Sequence, residues 1–311
     1  MRRREFLVRG GAAALSLPLV TLGSSKTRAA RPIPILDIHQ HPDFDKRSVE
    51  LLMVHQRFHH VTMTVLLPGD GWMNGRISGN DAAWSHVRKH PREIVTFCNV
   101  DPERDDAVKL LQKHLDKGAL GIGEQKFELD ADSPPMRRVY DVARDYGVPV
   151  LLHFGSKHNH GFDRFHKILE AYPQVSFLGH AGTWWSNISR DGKQEGPVQK
   201  GGLSDRLLAD YPNMYGDLSA GSGLNALSRD KDFAADFVLR HSRKLIWGSD
   251  CFCHDGKGAT YPPGYCTAQH SLDLLREYVQ DPAILRRISY DNGARLLKLK
   301  PPMPPIRSSR A

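Results

Sequence analysis

Cysteine is scarce in this chain: Cys98, Cys251, Cys253 and Cys266 are the four in 311 residues. That is too few for a disulfide framework to carry a protein of this size. No long apolar run follows residue 30, so nothing there supplies the roughly 20 residues a bilayer span requires. No glycine-rich phosphate loop follows the first strand-like run, which argues against a doubly wound nucleotide-binding sheet. Excess charge is also missing. The whole chain is +8, but residues 1–30 carry six of the basic residues and one of the acidic ones. The remainder holds 37 basic and 34 acidic residues, and that balance gives no reason to invoke nucleic acid.

What is present begins with an export signature. Arg2-Arg3-Arg4-Glu5-Phe6-Leu7 leads into a weakly apolar run from Gly10 to Leu22 and ends in small residues at Ala29-Ala30. This reads as a signal peptide of the twin-arginine type. The apolar run is too short for a membrane anchor and contains Pro18, and no cysteine follows it to carry a lipid. The expectation is a periplasmic or secreted protein that meets the twin-arginine translocation machinery during export and has no stable membrane anchor. Residues 31–300 are expected to form one catalytic domain, and the Pro-rich tail 301–311 reads as a disordered end.

From residue 33 onward, short β-branched runs alternate with amphipathic segments. Strand-like runs cover 33–38, 61–67, 94–100, 119–123, 148–152, 175–179, 213–218 and 245–248. Helix-like stretches lie between them at 48–60, 81–90, 101–117, 136–146, 162–172, 203–211 and 232–241, with more helix over 268–299. Eight strands with intervening helices is the count of an α/β (β/α)8 TIM barrel.

In such a barrel the C-terminal strand ends build the active site. Those positions here hold His39 and His41, Glu124, His153, His180 and Asp250. Alternation along a strand sends His39 and His41 the same way, so the pair can grip one cation. A His-x-His pair is weak evidence in a chain with 16 histidines, and His158 and His160 form another. A lone histidine after an apolar run is more often hydrogen-bonded structure than ligand. The concurrence of six such residues at strand ends is what points to metal chemistry.

The same segments resemble the amidohydrolase superfamily, in its amidohydrolase-related branch of metal-dependent hydrolases and non-oxidative decarboxylases. The matching stretches are Asp37-Ile38-His39-Gln40-His41, Pro149-Val150-Leu151-Leu152-His153, Leu178-Gly179-His180-Ala181-Gly182, Met214-Tyr215-Gly216-Asp217-Leu218-Ser219, Trp247-Gly248-Ser249-Asp250 and the closing Tyr290 to Leu297. The resemblance implies that His39, His41 and His153 hold a divalent metal, usually zinc. It implies that Asp250 contacts the metal and acts as base on an attacking water, and that His180 binds a second metal or polarises the substrate. Glu124 is expected as the strand-four ligand in a site of one or two ions, with Lys126 as its salt-bridge partner or a substrate contact. The implied activity is cleavage of an ester, lactone, amide or related bond in a small molecule. Decarboxylation in the same branch, or ligand capture by a non-catalytic periplasmic binding protein on the same barrel, are the alternatives.

The loops are expected to carry specificity. Trp72 and Arg76 follow strand two, and Trp184 and Trp185 follow strand six, where substrate would enter; packing over the barrel rim is the competing role for the tryptophans. Ser219 to Gly223 reads as a flexible run. Cys98 reads as a small buried hydrophobe. Cys253 and Cys266 flank a Gly/Pro-rich loop and could pair, whereas Cys251 and Cys253 could instead ligate a soft metal.

Overall fold

Strands buried on both faces are apolar throughout rather than alternating, which is why eight short runs stand out in this sequence. A computed structural model describes residues 32–260 and 262–299, apart from the side chains at 72 and 74. The strands are β1 (Ile35–Gln40), β2 (Val61–Leu66), β3 (Ile94–Thr96), β4 (Ile122–Gln125), β5 (Val150–His153), β6 (Phe177–His180), β7 (Met214–Asp217) and β8 (Leu245–Ile246). The helices are α1 (Val49–Phe58), α2 (Asn80–Lys89), α3 (Ala107–Asp116), α4 (Pro134–Tyr146), α5 (His166–Ala171), α6 (Ala181–Ser186), α7 (Leu203–Asp210), α8 (Ala220–Ser228), α9 (Lys231–Arg240), α10 (Thr267–Tyr278), α11 (Pro282–Arg286) and α12 (Asn292–Leu296).

All strand pairs are parallel and sequential, β1 to β3 and β4 to β8. Backbone hydrogen bonds close the two seams. At one, Cys98 N donates to Gly121 O (2.9 Å) and Gly123 N to Cys98 O (2.8 Å). At the other, Ile38 N donates to Trp247 O (3.3 Å) and Asp250 N to His39 O (2.8 Å). The result is the (β/α)8 barrel.

Inside the barrel, Leu36, Ile38, Val65, Leu67, Phe97, Leu151, Leu178 and Ile246 form one buried cluster, joined by Tyr290, Ala294 and Leu297 from the C-terminal helical stretch. Outside it, Val150, Leu152, Phe177 and Leu245 pack against helix residues such as Leu111, Val139, Phe165 and Val238. Cys98 sits fully buried in this outer layer, as a small hydrophobe should.

Local signals set several boundaries. Ser48 caps α1, its side chain accepting from Leu51 N, and α4 starts on a proline in its first turn. The segment 101–117 is helical only from Ala107, because residues 102–105 form turns first. Two helices were not apparent as periodic patterns: α6, short and rich in Trp and Gly, and α8, which turns the presumed flexible run at Ser219 to Gly223 into the start of a helix. Gly179 is required by α6, since a Cβ there would lie 2.4 Å from the Trp184 ring. The signal segment and the Pro-rich tail lie outside the described residues. Among the described residues, no helix is long and apolar enough to cross a membrane.

Candidate metal centre

His39 and His41 converge, but not by simple alternation. Leu36 and Ile38 already belong to the barrel interior, so strict alternation would turn His39 outward. The β1–β2 register shifts between Asp37 and Gln40, and this irregularity re-aims the strand end. Asp37 stays behind as a brace: it accepts from Ser249 N (2.9 Å), Ser249 Oγ (2.6 Å) and Gln56 Nε2 (3.1 Å). His39 Nε2 and His41 Nε2 then lie 3.2 Å apart.

Strand β4 has a register shift of its own between Ile122 and Gln125. Gly123 adopts φ 145 there, and a Cβ would sit 2.8 Å from Leu151 O. The Glu124 carboxylate consequently lies at the centre of the site. One oxygen is 3.8 Å from His41 Nε2 and 4.0 Å from His39 Nε2. The other is 2.5 Å from His153 Nδ1 and 3.6 Å from His180 Nε2. The pairing of His153 with His180 across β5 and β6 places those two side by side. Asp250 completes the ring, with Oδ1 3.2 Å from His41 Nε2 and 3.8 Å from His39 Nε2, and Oδ2 4.0 Å from His180 Nε2.

Two donor sets therefore overlap. His39, His41 and Glu124 form one, Glu124, His153 and His180 the other, and His39, His180 and Asp250 span both. All are buried except His153, which is partly so, and Asp250, whose side chain is 17% exposed toward the mouth. Asp250 Oδ1 is a buried oxygen with no hydrogen-bond donor. Carboxylate oxygens and imidazole nitrogens gathered at these distances fit a divalent cation of the zinc class, in a site able to hold one or two ions.

Electrostatics agree with that reading. Burial disfavours charge on His39, but the carboxylates of Asp250 and Asp217 outweigh it and hold its pKa at about 10. Burial and the neighbouring His39 charge instead push His180 down to about 4, leaving it neutral. Glu124 is held well below the usual carboxylate range: burial opposes this, but His153, followed by Lys126 and His39, prevails. Asp250 is lowered too, against burial, by His39 and His41. Both carboxylates are thus ionised and both can act as ligands.

The strand ends are strained. Ala181 (φ 80), Ala220 (φ 66) and Asp250 (φ 46) are non-glycine residues in the left-handed region, the first directly after β6 and the others three and four residues beyond β7 and β8. Each such residue costs on the order of 1–3 kcal/mol, and strain of this kind clusters at functional sites.

Asp217 and Ser219 are functional residues that strand-end reasoning passed over, although Asp217 ends its strand. Asp217 Oδ2 accepts from His39 Nδ1 (2.6 Å) and from Ser219 Oγ (2.8 Å), while Ser219 Oγ in turn accepts from His180 Nδ1 (3.0 Å). His41 Nδ1 donates to Leu67 O (2.8 Å). With Nδ1 occupied on all three rings, each Nε2 faces the centre. Lys126 is half-buried, and its charge reaches Glu124.

The loop residues depart from expectation. Trp184 and Trp185 are buried at 0% and 2% exposure and pack against Phe154, Phe162 and Phe237; they are core, because α6 folds them back onto the barrel. Arg76 forms an exposed ion pair with Asp45 and lies over the Phe44 ring, which itself contacts His41. It therefore sits one layer away from the metal ligands. The Trp72 side chain lies outside the described residues. Cys253 and Cys266 do not pair: all four thiols are free, and the sulfur facing Cys266 is that of Cys251.

Comparison with known proteins agrees with this geometry. Residues 74–299 match the sequence model of the amidohydrolase family, and the chain belongs to that family. No curated protein sequence matches. A probable 2-pyrone-4,6-dicarboxylic acid hydrolase from Acinetobacter baumannii is similar in structure, with TM-score 0.60 and 15% identity over 85% of this chain and 99% of its own. So is an uncharacterised TIM-barrel protein from Bordetella bronchiseptica, with TM-score 0.63 and 14% identity over 85% and 98%. A 5-carboxyvanillate decarboxylase from Sphingomonas paucimobilis aligns with TM-score 0.52 and 12% identity over 80% and 82%. At these identities the likeness speaks for the fold.

Proposed function

We propose that this protein is an exported, metal-dependent hydrolase that cleaves an ester, lactone, amide or related bond in a small molecule. The observation carrying the reading is the central position of Glu124, whose two oxygens face two different sets of imidazoles. That arrangement suits two ions sharing one carboxylate, the layout of hydrolytic two-metal sites. His39, His41, Glu124 and Asp250 would hold one ion, and Glu124, His153 and His180 the other.

A divalent ion in this cage supplies Lewis acidity, lowering the pKa of a bound water toward about 7 and polarising a substrate oxygen. The chain's own groups do the rest. Asp250, ionised and with one oxygen lacking a donor, accepts the proton of the attacking water and returns it to the leaving group. Asp217 and Ser219 hold the His39 and His180 rings in one orientation. Lys126, whose charge reaches Glu124, would bind a carbonyl or carboxylate oxygen of the substrate.

A decarboxylase is the second reading, supported by the fold shared with the 5-carboxyvanillate enzyme; the same cage would orient a substrate carboxylate. A screen of metal-loaded protein against esters, lactones, amides, phosphoesters and hydroxybenzoate-type acids, read by product mass, tests the proposal. Hydrolysis products in any bond class support it, whereas turnover confined to loss of carbon dioxide overturns it in favour of the second reading.

A further inference from the structure

Behind the site, on the outer side of β1, lies a second group of metal-ligating side chains that the proposed reaction does not use. His55 and His59 stand one turn apart at the C-terminal end of α1, with rings 4.7 Å apart. Cys251 follows Asp250 directly, and Cys266 is the residue preceding α10. All four are buried, with exposures between 0% and 4%. Cys266 Sγ lies 3.7 Å from Cys251 Sγ, 3.5 Å from His55 Nε2 and 3.4 Å from His59 Nε2.

The ligand atoms of His55, Cys251 and Cys266 all lie within 4.8 Å of one another, as the ligands of one ion do, while His59 stands outside that trio, beside Cys266. With zinc–sulfur bonds of about 2.3 Å and zinc–nitrogen bonds of about 2.0 Å, tetrahedral geometry sets S···S at about 3.8 Å and S···N at about 3.5 Å. His55 is oriented for the role, since its Nδ1 donates to Gln56 Oε1 (3.1 Å) and leaves Nε2 to face Cys266. Arg47, buried, donates to Cys251 O (2.7 Å) and Cys253 O (2.9 Å) and so fixes the backbone that carries Cys251. Cys253 is otherwise engaged, accepting from Gly258 N (3.2 Å).

We infer that His55, Cys251 and Cys266 hold a structural metal ion of the zinc class, distinct from the centre at the barrel mouth, with His59 turning in beside Cys266 as the fourth ligand. With His59 turned in, four protein ligands leave no position for water or substrate, which is the mark of a structural rather than a catalytic site. The site ties α1 to the segment between β8 and α10, in which no described residue from 247 to 266 is in a helix or strand. A loop of that length needs an anchor. Because Asp250 immediately precedes Cys251, the clamp also fixes the carboxylate assigned as base.

Cobalt separates this site from the catalytic one. Co²⁺ bound by thiolates has a near-ultraviolet charge-transfer absorption that nitrogen and oxygen donors cannot produce. Purified protein exchanged with Co²⁺ should show that band. It should persist when His39→Ala and His41→Ala together remove two ligands at the barrel mouth, and vanish in Cys251→Ser with Cys266→Ser, with loss of about one ion per chain. In wild-type protein, which needs no variant to fold, chelator should raise the alkylation rate of two thiols at least tenfold, and Zn²⁺ should restore protection. Absence of the band in wild type, thiol reactivity indifferent to Zn²⁺, or a Cys251–Cys266 disulfide found by mass spectrometry overturns the inference. A screen that finds no hydrolysis leaves the cobalt result untouched, so the two readings fail separately.

Discussion

Asp217 Oδ2 lies 2.6 Å from His39 Nδ1 and 3.4 Å from His180 Nδ1, so one buried carboxylate on β7 orients a histidine from β1 and another from β6. It makes no contact with the centre itself, and its influence passes through the rings it holds. Asp217→Asn keeps the shape but can offer its amide in place of an acceptor oxygen. Losing such a partner costs about 10–100-fold in metal affinity or activity. Metal titration of the variant should show weaker binding of both ions; unchanged affinity would reduce Asp217 to a packing residue.

Glu124 is the proposed shared ligand. Wild-type protein prepared without chelator should approach two ions per chain at the barrel mouth, over and above any ion held by the thiols, and Glu124→Gln should lose about one of them. A single mouth ion that survives Glu124→Gln would favour the one-metal, decarboxylase-like arrangement.

Asp250 separates a catalyst from a binding protein that merely kept the barrel. Asn at this position can still offer a carbonyl oxygen but takes no proton. Asp250→Asn should fold, retain much of its metal and lose about 10²–10⁴-fold in kcat. Turnover within a few-fold of wild type, at matched metal content, would remove Asp250 as the base. His153→Ala should lose metal and activity together.

Metal uptake should be coupled to protons. In the metal-free fold His39 keeps its proton up to a pKa of about 10, above its ordinary 6.5, whereas His180 at about 4 is already neutral. The stability contributed by charged His39 is complete below pH 6.5 and fades as pH rises toward 10. At pH 8 a cation must displace that proton, so zinc titrations in buffers of different ionisation enthalpy should report about one proton released by His39. Heats independent of buffer would show that His39 enters binding already neutral.

The proposed export would rest on Arg3 and Arg4, ahead of the described residues. Replacing both by lysine should leave an uncleaved precursor in the cytoplasm, because the twin-arginine receptor reads the pair. Undiminished export of that variant, measured by fractionation, would remove the localisation proposed here.

Much of this protein is written in local sequence. Runs such as Val148 to Leu152 are apolar because both faces of a parallel strand are buried, so strand count, and hence the barrel, follows from the chain read in order. The candidate ligands were legible for the same reason: a histidine or carboxylate ending an apolar run marks the active end of a barrel strand. Side-chain direction was not legible where the backbone departs from regularity. His39 reaches the centre only because β1 shifts register after Asp37, and Glu124 only because β4 shifts at Gly123. Trp184 and Trp185 were placed at the mouth by their position after a strand, yet a short helix without a periodic pattern carries them into the core. The gathering of His55 and His59 with Cys251 and Cys266 spans some 200 residues of chain. No spacing rule links such distant groups; only closure of β8 against β1 brings them within 4 Å of one another's neighbours. Local sequence decides which groups are available for chemistry, and tertiary closure decides which of them meet, because contact between distant segments depends on register and packing that no single segment contains.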